Sequence, residues 1–199
     1  MAHPTTSGGP PDEHLVRQAV GGDSAAFAAI VQRYQDRLYN ASYRLLGSAE
    51  DALDVVQETF IKAYENLGGF AGRSSLYTWL FRIAVNMSLS HRRKRKWERL
   101  MTPPGEDEAD PVEGIEGRSE GDPADRLLGA ETEIIVQRAL DELDDDHRAV
   151  VVLRDIQHFD YTEIAEVLKV PAGTVKSRLH RARLMLRDKL RPILKDVPA

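Results

Sequence analysis

The sequence of 199 residues contains no cysteine. This absence excludes disulfide bonds, thiolate nucleophiles and cysteine-ligated zinc, and it is typical of a protein in a reducing cytoplasm. Long apolar segments are also missing, because the longest uninterrupted aliphatic run is Ala149 to Leu153. The N-terminal residues lack the basic stretch and apolar core of a secretory signal. We therefore expect a cytoplasmic protein without a signal peptide or a membrane span.

The composition is that of an ordinary globular protein. Hydrophobic residues make up 42% of the chain and charged residues 30%. A chain of this length and composition can bury a core and forms one domain or two small ones.

Helical periodicity dominates the first half of the chain. Gly21-Gly22-Asp23 interrupts the first periodic segment, Ser48 with Asp51 resembles a capping box, and Gly68-Gly69 ends the helix that follows. A further helix resumes at Leu76 and runs into a basic stretch. We predict a helical domain of about four helices over residues 12–97, preceded by a disordered tail over residues 1–11.

An acidic segment separates the two halves. Between Met101 and Asp125 the periodicity disappears, and nine acidic residues stand against one basic residue, Arg118, a local balance of −9 + 1 = −8. Proline, glycine and like charges in such a segment favour an extended chain over a packed one. We predict a flexible acidic linker over residues 98–129.

The C-terminal part, residues 130–195, has the layout of a helix-turn-helix domain. Asp144 or Asp145 can cap one helix, and Asp160 with Glu163 can open the short helix "YTEIAEVLKV". A turn containing Gly173 then leads into a second amphipathic helix. The sequence thus predicts an all-α fold of two helical domains joined by the linker.

The last helix concentrates positive charge in a chain whose net charge is −5. Residues 176–196 contain eight Lys or Arg and two Asp, a local balance of +8 − 2 = +6. A solvated basic face is one explanation, but the preceding turn and caps favour a helix that enters the DNA major groove. Its outer face carries the candidate duplex-binding residues Thr174, Lys176, Ser177, Arg178, His180 and Arg181.

A second basic patch, "HRRKRK", spans His91 to Lys96 and includes Arg92 and Arg93. It either complements the negative end of its helix or contacts nucleic acid. Aromatic residues precede it at Tyr77 and Trp79, which allows base stacking, although the spacing of Trp79 is typical of a core residue.

The helix "EDALDVVQETFIKAY" carries Asp51, Asp54, Glu58 and Glu65 on what the spacing predicts to be one side. Three interpretations are open: a metal cluster, a docking face for a basic partner, or a solvated surface. No companion motif supports the metal site, and we expect neither a metal nor a cofactor.

Together these stretches resemble the extracytoplasmic-function sigma factors, the group IV members of the sigma-70 family. "DALDVVQETFIKAY" resembles their polymerase-clamp-binding helix, and "FAGRSSLYTWLFRIAVNMSLSHRRKR" resembles their promoter-melting segment. The C-terminal domain resembles their minus-35-binding domain. The resemblance covers residues 12–97 and 130–191.

The resemblance implies a non-enzymatic initiation factor with three sets of binding residues. Its partners would be core RNA polymerase, through the clamp helices and the flap, promoter DNA, and an anti-sigma factor. Asn86 would bind a base that is flipped out of the duplex, and the loop Phe70 to Ser75 would surround that base. The polymerase-binding residues would be Asp54, Gln57, Glu58 and Phe60. The residues for single-stranded minus-10 DNA would be Phe70, Arg73, Ser74, Tyr77, Asn86, Arg92 and Arg93, and those for duplex minus-35 DNA would be the outer-face residues of the last helix.

Two other functions remain open at this point. A helix-turn-helix regulator with an N-terminal sensing or oligomerisation domain would bind promoter duplex without polymerase. A helical metal-dependent hydrolase would use Asp51, Asp54 and Glu58.

Overall fold

The computed structural model describes residues 9–101 and 123–195, and this part of the chain contains helices and no strands. A 3-10 turn at Leu67–Gly69 follows the third helix, and a π-helix at Val152–Ile156 follows the sixth. The α-helices are α1 Asp12–Val20, α2 Ser24–Leu46, α3 Ala49–Asn66, α4 Leu76–Met101, α5 Pro123–Asp141, α6 Asp145–Val151, α7 Tyr161–Leu168 and α8 Ala172–Lys195. The predicted all-α fold is confirmed.

Helices α1 to α4 form the N-terminal unit, and local caps fix their ends. Asp23 accepts hydrogen bonds from the first backbone amides of α2, and Gly47, at φ 75°, ends that helix in the left-handed conformation that glycine adopts without strain. Ser48 accepts the amide of Asp51 and begins α3. Ile30 is among the residues fully buried where these helices pack.

Asp12 ties the first helix to the second. Its carboxylate accepts hydrogen bonds from the Arg33 guanidinium and the Tyr34 hydroxyl, each at 2.5 Å. Burial, and then the bond to Asp12, raise the pKa of Tyr34 well above its usual value.

Helices α5 to α8 form the C-terminal unit. Asp144 caps α6, and Asp160 and Glu163 form a reciprocal capping box at α7, as the sequence predicts. The turn between α7 and α8 lies at residues 169–171, where Lys169 has φ 54°. The prediction that the turn contains Gly173 is wrong, because the Pro171 carbonyl accepts the amides of Thr174 and Val175 and Gly173 lies within α8.

The π-helix after α6 redirects the chain. The amide of Gln157 donates to the carbonyl of Val152 at 3.0 Å, and the amide of Phe159 donates to that of Leu153 at 2.9 Å. His158 follows the wide turn with φ 60°. This geometry turns the Phe159 side chain away from α6 and towards the N-terminal unit.

Two helix ends lie beyond the predicted domain limits. Helix α4 continues past residue 97 to Met101, and α5 begins at Pro123, before residue 130. Residues 1–8 of the predicted tail and residues 102–122 of the predicted linker lie outside the described residues, so both predictions remain untested there.

The two units share one continuous apolar core. Phe159 is 0% exposed, and its ring lies 4.8 Å from that of Tyr77 and 4.9 Å from that of Phe81. The contact therefore buries aromatic surface that either unit alone would expose.

Candidate nucleic-acid and protein interfaces

Helix α3 presents three of the four residues that the resemblance assigns to polymerase binding. Asp54, Gln57 and Glu58 are exposed, and Glu58 forms an ion pair with Lys62 at 2.8 Å. Phe60 is only 8% exposed, so its ring belongs mainly to the core. The accessible part of this face is polar and acidic.

An apolar groove of ≈ 640 Å³ lies between α2 and α3. Its exposed apolar side chains are Leu53 at 60%, Ile61 at 50% and Tyr64 at 57%. These three residues are not among the predicted polymerase-binding residues, although with Gln57 they repeat at i, i+4, i+8 and i+11, the signal of a second stripe beside the buried one. Exposed apolar surface grouped in this way makes the groove a candidate interaction site.

Asp51 does not share a site with the other acidic residues of α3. Its carboxylate lies 2.5 Å from the Arg95 guanidinium and 3.6 Å from the His91 ring, both in α4. This pairing separates Asp51 from Asp54 and Glu58. Within the described residues, no group of three or more His, Cys, Asp or Glu side chains is placed to hold a metal ion.

The loop before α4 is shaped by two local features. Gly72 adopts φ 65°, a conformation that favours glycine. Ser75 accepts the amide of Thr78 at 3.0 Å and begins α4. The rings of Phe70 and Trp79 lie 5.2 Å apart, so this loop packs against the first turn of the helix.

A pocket of ≈ 360 Å³ opens between this loop and α4. Arg82 and Glu166 of α7 close one side through an ion pair of 2.9 Å. The pocket brings together three of the predicted minus-10 residues. Its lining side chains are Phe70, Ala71, Arg73, Ser74, Trp79, Arg82 and Glu166.

Asn86 and Tyr77 do not line this pocket. The Asn86 amide donates to the Arg82 carbonyl at 2.6 Å. Tyr77 is 3% exposed and its ring stacks on Phe159 with an interplanar angle of 18°. Burial raises the pKa of Tyr77 to about 12, against the opposing effect of Arg37.

The basic end of α4 faces an acidic wall. Arg93 is exposed, whereas the Nε of Arg92 donates to Asp145 at 2.6 Å and its Nη1 donates to the Leu45 carbonyl at 2.9 Å. A cleft of ≈ 790 Å³ lies beside this contact, between a basic and an acidic wall. The basic wall comprises Arg92, Arg95, Lys96 and Arg99, and the acidic wall comprises Glu142, Asp144, Asp145 and Asp146.

Helix α8 separates apolar and polar faces as the sequence predicts. Its inner face is buried at Val175, Leu179 and Ala182, with exposures of 0, 2 and 0%. Four of the six predicted duplex-binding residues are exposed on the outer face: Lys176, Ser177, His180 and Arg181.

The other two outer-face residues are partly covered. The Arg178 guanidinium forms an ion pair with Asp146 at 2.5 Å, and Thr174 accepts a hydrogen bond at its carbonyl from the Ser177 hydroxyl. Lys176 lies 5.7 Å above the Tyr161 ring, so the first turns of α8 are held against α7.

These features define an all-α protein of two helical units with candidate interfaces for nucleic acid and protein. Residues 30–98 match the family model of sigma-70 region 2, and residues 133–186 match that of sigma-70 region 4. The chain is 37% identical over 183 residues to the ECF RNA polymerase sigma factor SigW of Bacillus subtilis, covering 89% of this chain and 96% of that protein.

Two solved structures are similar to the whole fold. CnrH, in complex with the cytosolic domain of CnrY, aligns with a TM-score of 0.65 at 30% identity, covering 91% of this chain and 97% of that chain. RpoE of Bartonella quintana, in complex with the anti-sigma factor NepR, aligns with a TM-score of 0.67 at 27% identity, covering 83% and 96%.

The chain belongs to the extracytoplasmic-function sigma factors of the sigma-70 family. It is an initiation factor that binds core RNA polymerase and directs promoter-specific transcription. The comparisons do not favour the helix-turn-helix regulator. No helix in the described parts of the chain is long and apolar enough to cross a membrane.

Proposed function

We propose that three separate surfaces of this chain carry the initiation function. Helix α3 binds the polymerase clamp helices, the loop before α4 with α4 itself binds the single-stranded minus-10 element, and α8 binds the minus-35 duplex. The observation that carries the proposal is the exposed basic outer face of α8 over its buried inner stripe. The domains are residues 12–97 and 130–195, with the acidic linker between them and a tail before them.

Polymerase binding at α3 combines charge and apolar contact. Asp54 and Glu58 attract a basic partner, while Leu53 and Ile61 offer exposed apolar surface beside them. An apolar centre with a charged rim is the usual anatomy of a protein interface. Gln57, between the two sets, can hydrogen bond to either side chains or backbone of the partner.

The minus-10 strand binds around the pocket before α4. The rings of Phe70 and Trp79 supply a stacking surface, and Arg73 and Arg82 supply cations for phosphates or base edges. Asn86 lies one turn along α4 from Arg82, and Arg92 and Arg93 extend the basic track. Reading an unstacked base there requires the duplex to be opened, at a cost of a few kcal/mol.

The minus-35 duplex binds to α8. Arg178 and Arg181 are the candidates for bidentate contacts with guanine, while Lys176 and His180 meet phosphates. Thr174 and Ser177 lie at the start of the helix, where their hydroxyl groups can contact the phosphate backbone of the DNA beside the major groove.

Two further partners and the location follow from the same proposal. The polymerase flap contacts the C-terminal unit, and an anti-sigma factor binds this chain as NepR binds RpoE of Bartonella quintana. The chain acts in the cytoplasm, where its polymerase partner transcribes.

Affinity for core polymerase tests the assignment of α3. Leu53→Ser combined with Ile61→Ser removes exposed apolar contacts without entering the core, and we expect about tenfold weaker binding by fluorescence anisotropy. The matched control is Val20→Ser with Leu100→Ser, which removes apolar surface of 53% and 73% exposure elsewhere in the N-terminal unit. Equal affinities of the two double variants for polymerase would refute the assignment.

A further inference from the structure

One wall of the pocket before α4 is suited to a single unstacked base. Phe70 and Trp79 are both half-buried, and their rings lie 5.2 Å apart with an interplanar angle of 52°. Every base has an aromatic face, so stacking on such rings binds all four bases with little selection. The aromatic wall therefore holds a base without identifying it.

Selection requires polar groups, and several of those around this pocket are already engaged. The Arg82 guanidinium pairs with Glu166 at 2.9 Å, and the Asn86 amide donates to the Arg82 carbonyl at 2.6 Å. Arg73 is exposed and lines the pocket, and its guanidinium has no ion pair or hydrogen bond to any residue within 9–101 and 123–195. The Arg73 donors are therefore available to a ligand.

The loop fixes the position of the Arg73 backbone. Gly72 precedes it at φ 65°, a conformation that other residues adopt only with strain. Two residues after Arg73, the Ser75 hydroxyl accepts the Thr78 amide at 3.0 Å and begins α4. Arg73 is thus held between a glycine turn and a capped helix, so little backbone ordering is needed when a base binds.

A guanidinium recognises an edge that carries two neighbouring acceptors, because its planar N–H groups donate in parallel. Guanine offers O6 and N7 side by side, whereas adenine places an amino donor beside N7 and thymine places a methyl group beside O4. Cytosine carries its N4 amino donor next to the ring acceptor N3, so that donor would face the cation. Arginine with guanine is accordingly the commonest specific contact between proteins and bases.

We propose that Arg73 makes this pocket selective for guanine in the minus-10 strand: the base stacks on Phe70 and Trp79 while the Arg73 guanidinium donates to its O6 and N7. The donors of guanine lie on its opposite edge, away from Arg73. This proposal rests on the proposed binding of the minus-10 strand at the pocket. It makes Arg73 a reader of base identity and not a phosphate contact.

The test uses the full chain bound to core polymerase. The probe is a fork-junction DNA from a promoter that this holoenzyme transcribes, duplex at the minus-35 element and single-stranded at the minus-10 element, with the single-stranded positions randomised. DNA that the holoenzyme retains on a filter is sequenced. For the wild type we expect guanine to exceed adenine at least about fivefold at one position, and Arg73→Ala should abolish this preference.

Arg73→Gln tests the chemistry of the contact more sharply. Glutamine bonds bidentately to N6 and N7 of adenine, so the preferred base at that one position should change from guanine to adenine. Neither the loss of a charge nor a disturbed loop produces a new base preference.

The matched control is Lys94→Ala, which removes one positive charge from α4 outside the pocket. Lys94 is exposed and forms an ion pair with Glu98 at 3.8 Å. Its base preferences should equal those of the wild type. If Arg73→Ala keeps the same base preferences as Lys94→Ala, even with weaker binding to every sequence, Arg73 is a phosphate contact and the proposal is overturned.

The two proposals fail separately. If the holoenzyme retains fork-junction DNA no better than the minus-35 duplex alone, the proposed binding of the minus-10 strand is contradicted. If it retains the fork-junction DNA better but the choice of base does not depend on Arg73, only the guanine proposal is contradicted.

Discussion

At the scale of single residues, the Tyr77 hydroxyl reports on the contact between the two units. The ring is buried against Phe159, and burial raises its pKa from 10.0 to about 12. The folded state therefore prefers the neutral phenol. This contribution to stability is fully present below pH of about 10 and is lost as the pH rises through about 12.

Tyr77→Phe should remove this pH dependence. The wild-type free energy of unfolding should fall more steeply than that of the variant between pH of about 10 and 12, by about 2 to 3 kcal/mol in total. Denaturant unfolding at neutral and alkaline pH measures the difference. The pKa of Tyr34 is also raised, so the free energy of unfolding keeps a smaller dependence on pH in both proteins. Parallel curves for wild type and variant would mean that the Tyr77 hydroxyl is already solvated.

At the scale of elements, the proposed recognition of promoter DNA by helix α8 gives a testable prediction. Arg181 is exposed and Arg178 is paired with Asp146, so a base contact by Arg178 requires that ion pair to open. We expect Arg178→Ala or Arg181→Ala to cost about 1 to 3 kcal/mol in binding to promoter duplex. Lys176→Ala should mainly reduce the salt dependence of binding.

The control is Arg187→Ala, a basic residue beyond the proposed recognition turns that pairs with its neighbour Asp188. Filter binding or anisotropy at several salt concentrations separates the base contacts from the phosphate contacts. If the three test variants bind the promoter as the wild type and the control do, α8 is only a solvated basic face.

The elements also show how far the sequence predicts this structure. Local sequence is enough to predict where three helices begin, because the side chains of Ser48, Asp144 and Asp160 accept hydrogen bonds from amides only two or three residues away. The inner stripe of α8 follows from its periodicity alone. The turn before α8 was misjudged at Gly173, since the left-handed residue is Lys169 and glycine is merely tolerated in the first turn.

The features of the candidate sites also divide into those that the sequence predicts and those that depend on distant contacts. Exposure of Lys176, Arg181, Asp54 and Glu58 was predictable from helix faces. Burial of Tyr77 was not, because it depends on Phe159, which lies far away in the sequence and is turned inward by a π-helix with no clear sequence signal. The apolar groove beside α3 had a readable signal in the spacing of Leu53 and Ile61.

At the scale of the whole molecule, one core joins two units that must act on separate promoter elements. A shared core buries aromatic surface and stabilises the chain when it is alone.

Transcription with purified core polymerase is the most direct test of the central claim that this chain is an initiation factor. Run-off reactions on genomic fragments should give discrete transcripts that core polymerase alone does not produce, and Arg181→Ala should reduce them at the same start sites. If the full chain gives no transcript above core polymerase alone, yet binds promoter duplex without polymerase, the account is contradicted and the chain acts as a conventional helix-turn-helix regulator.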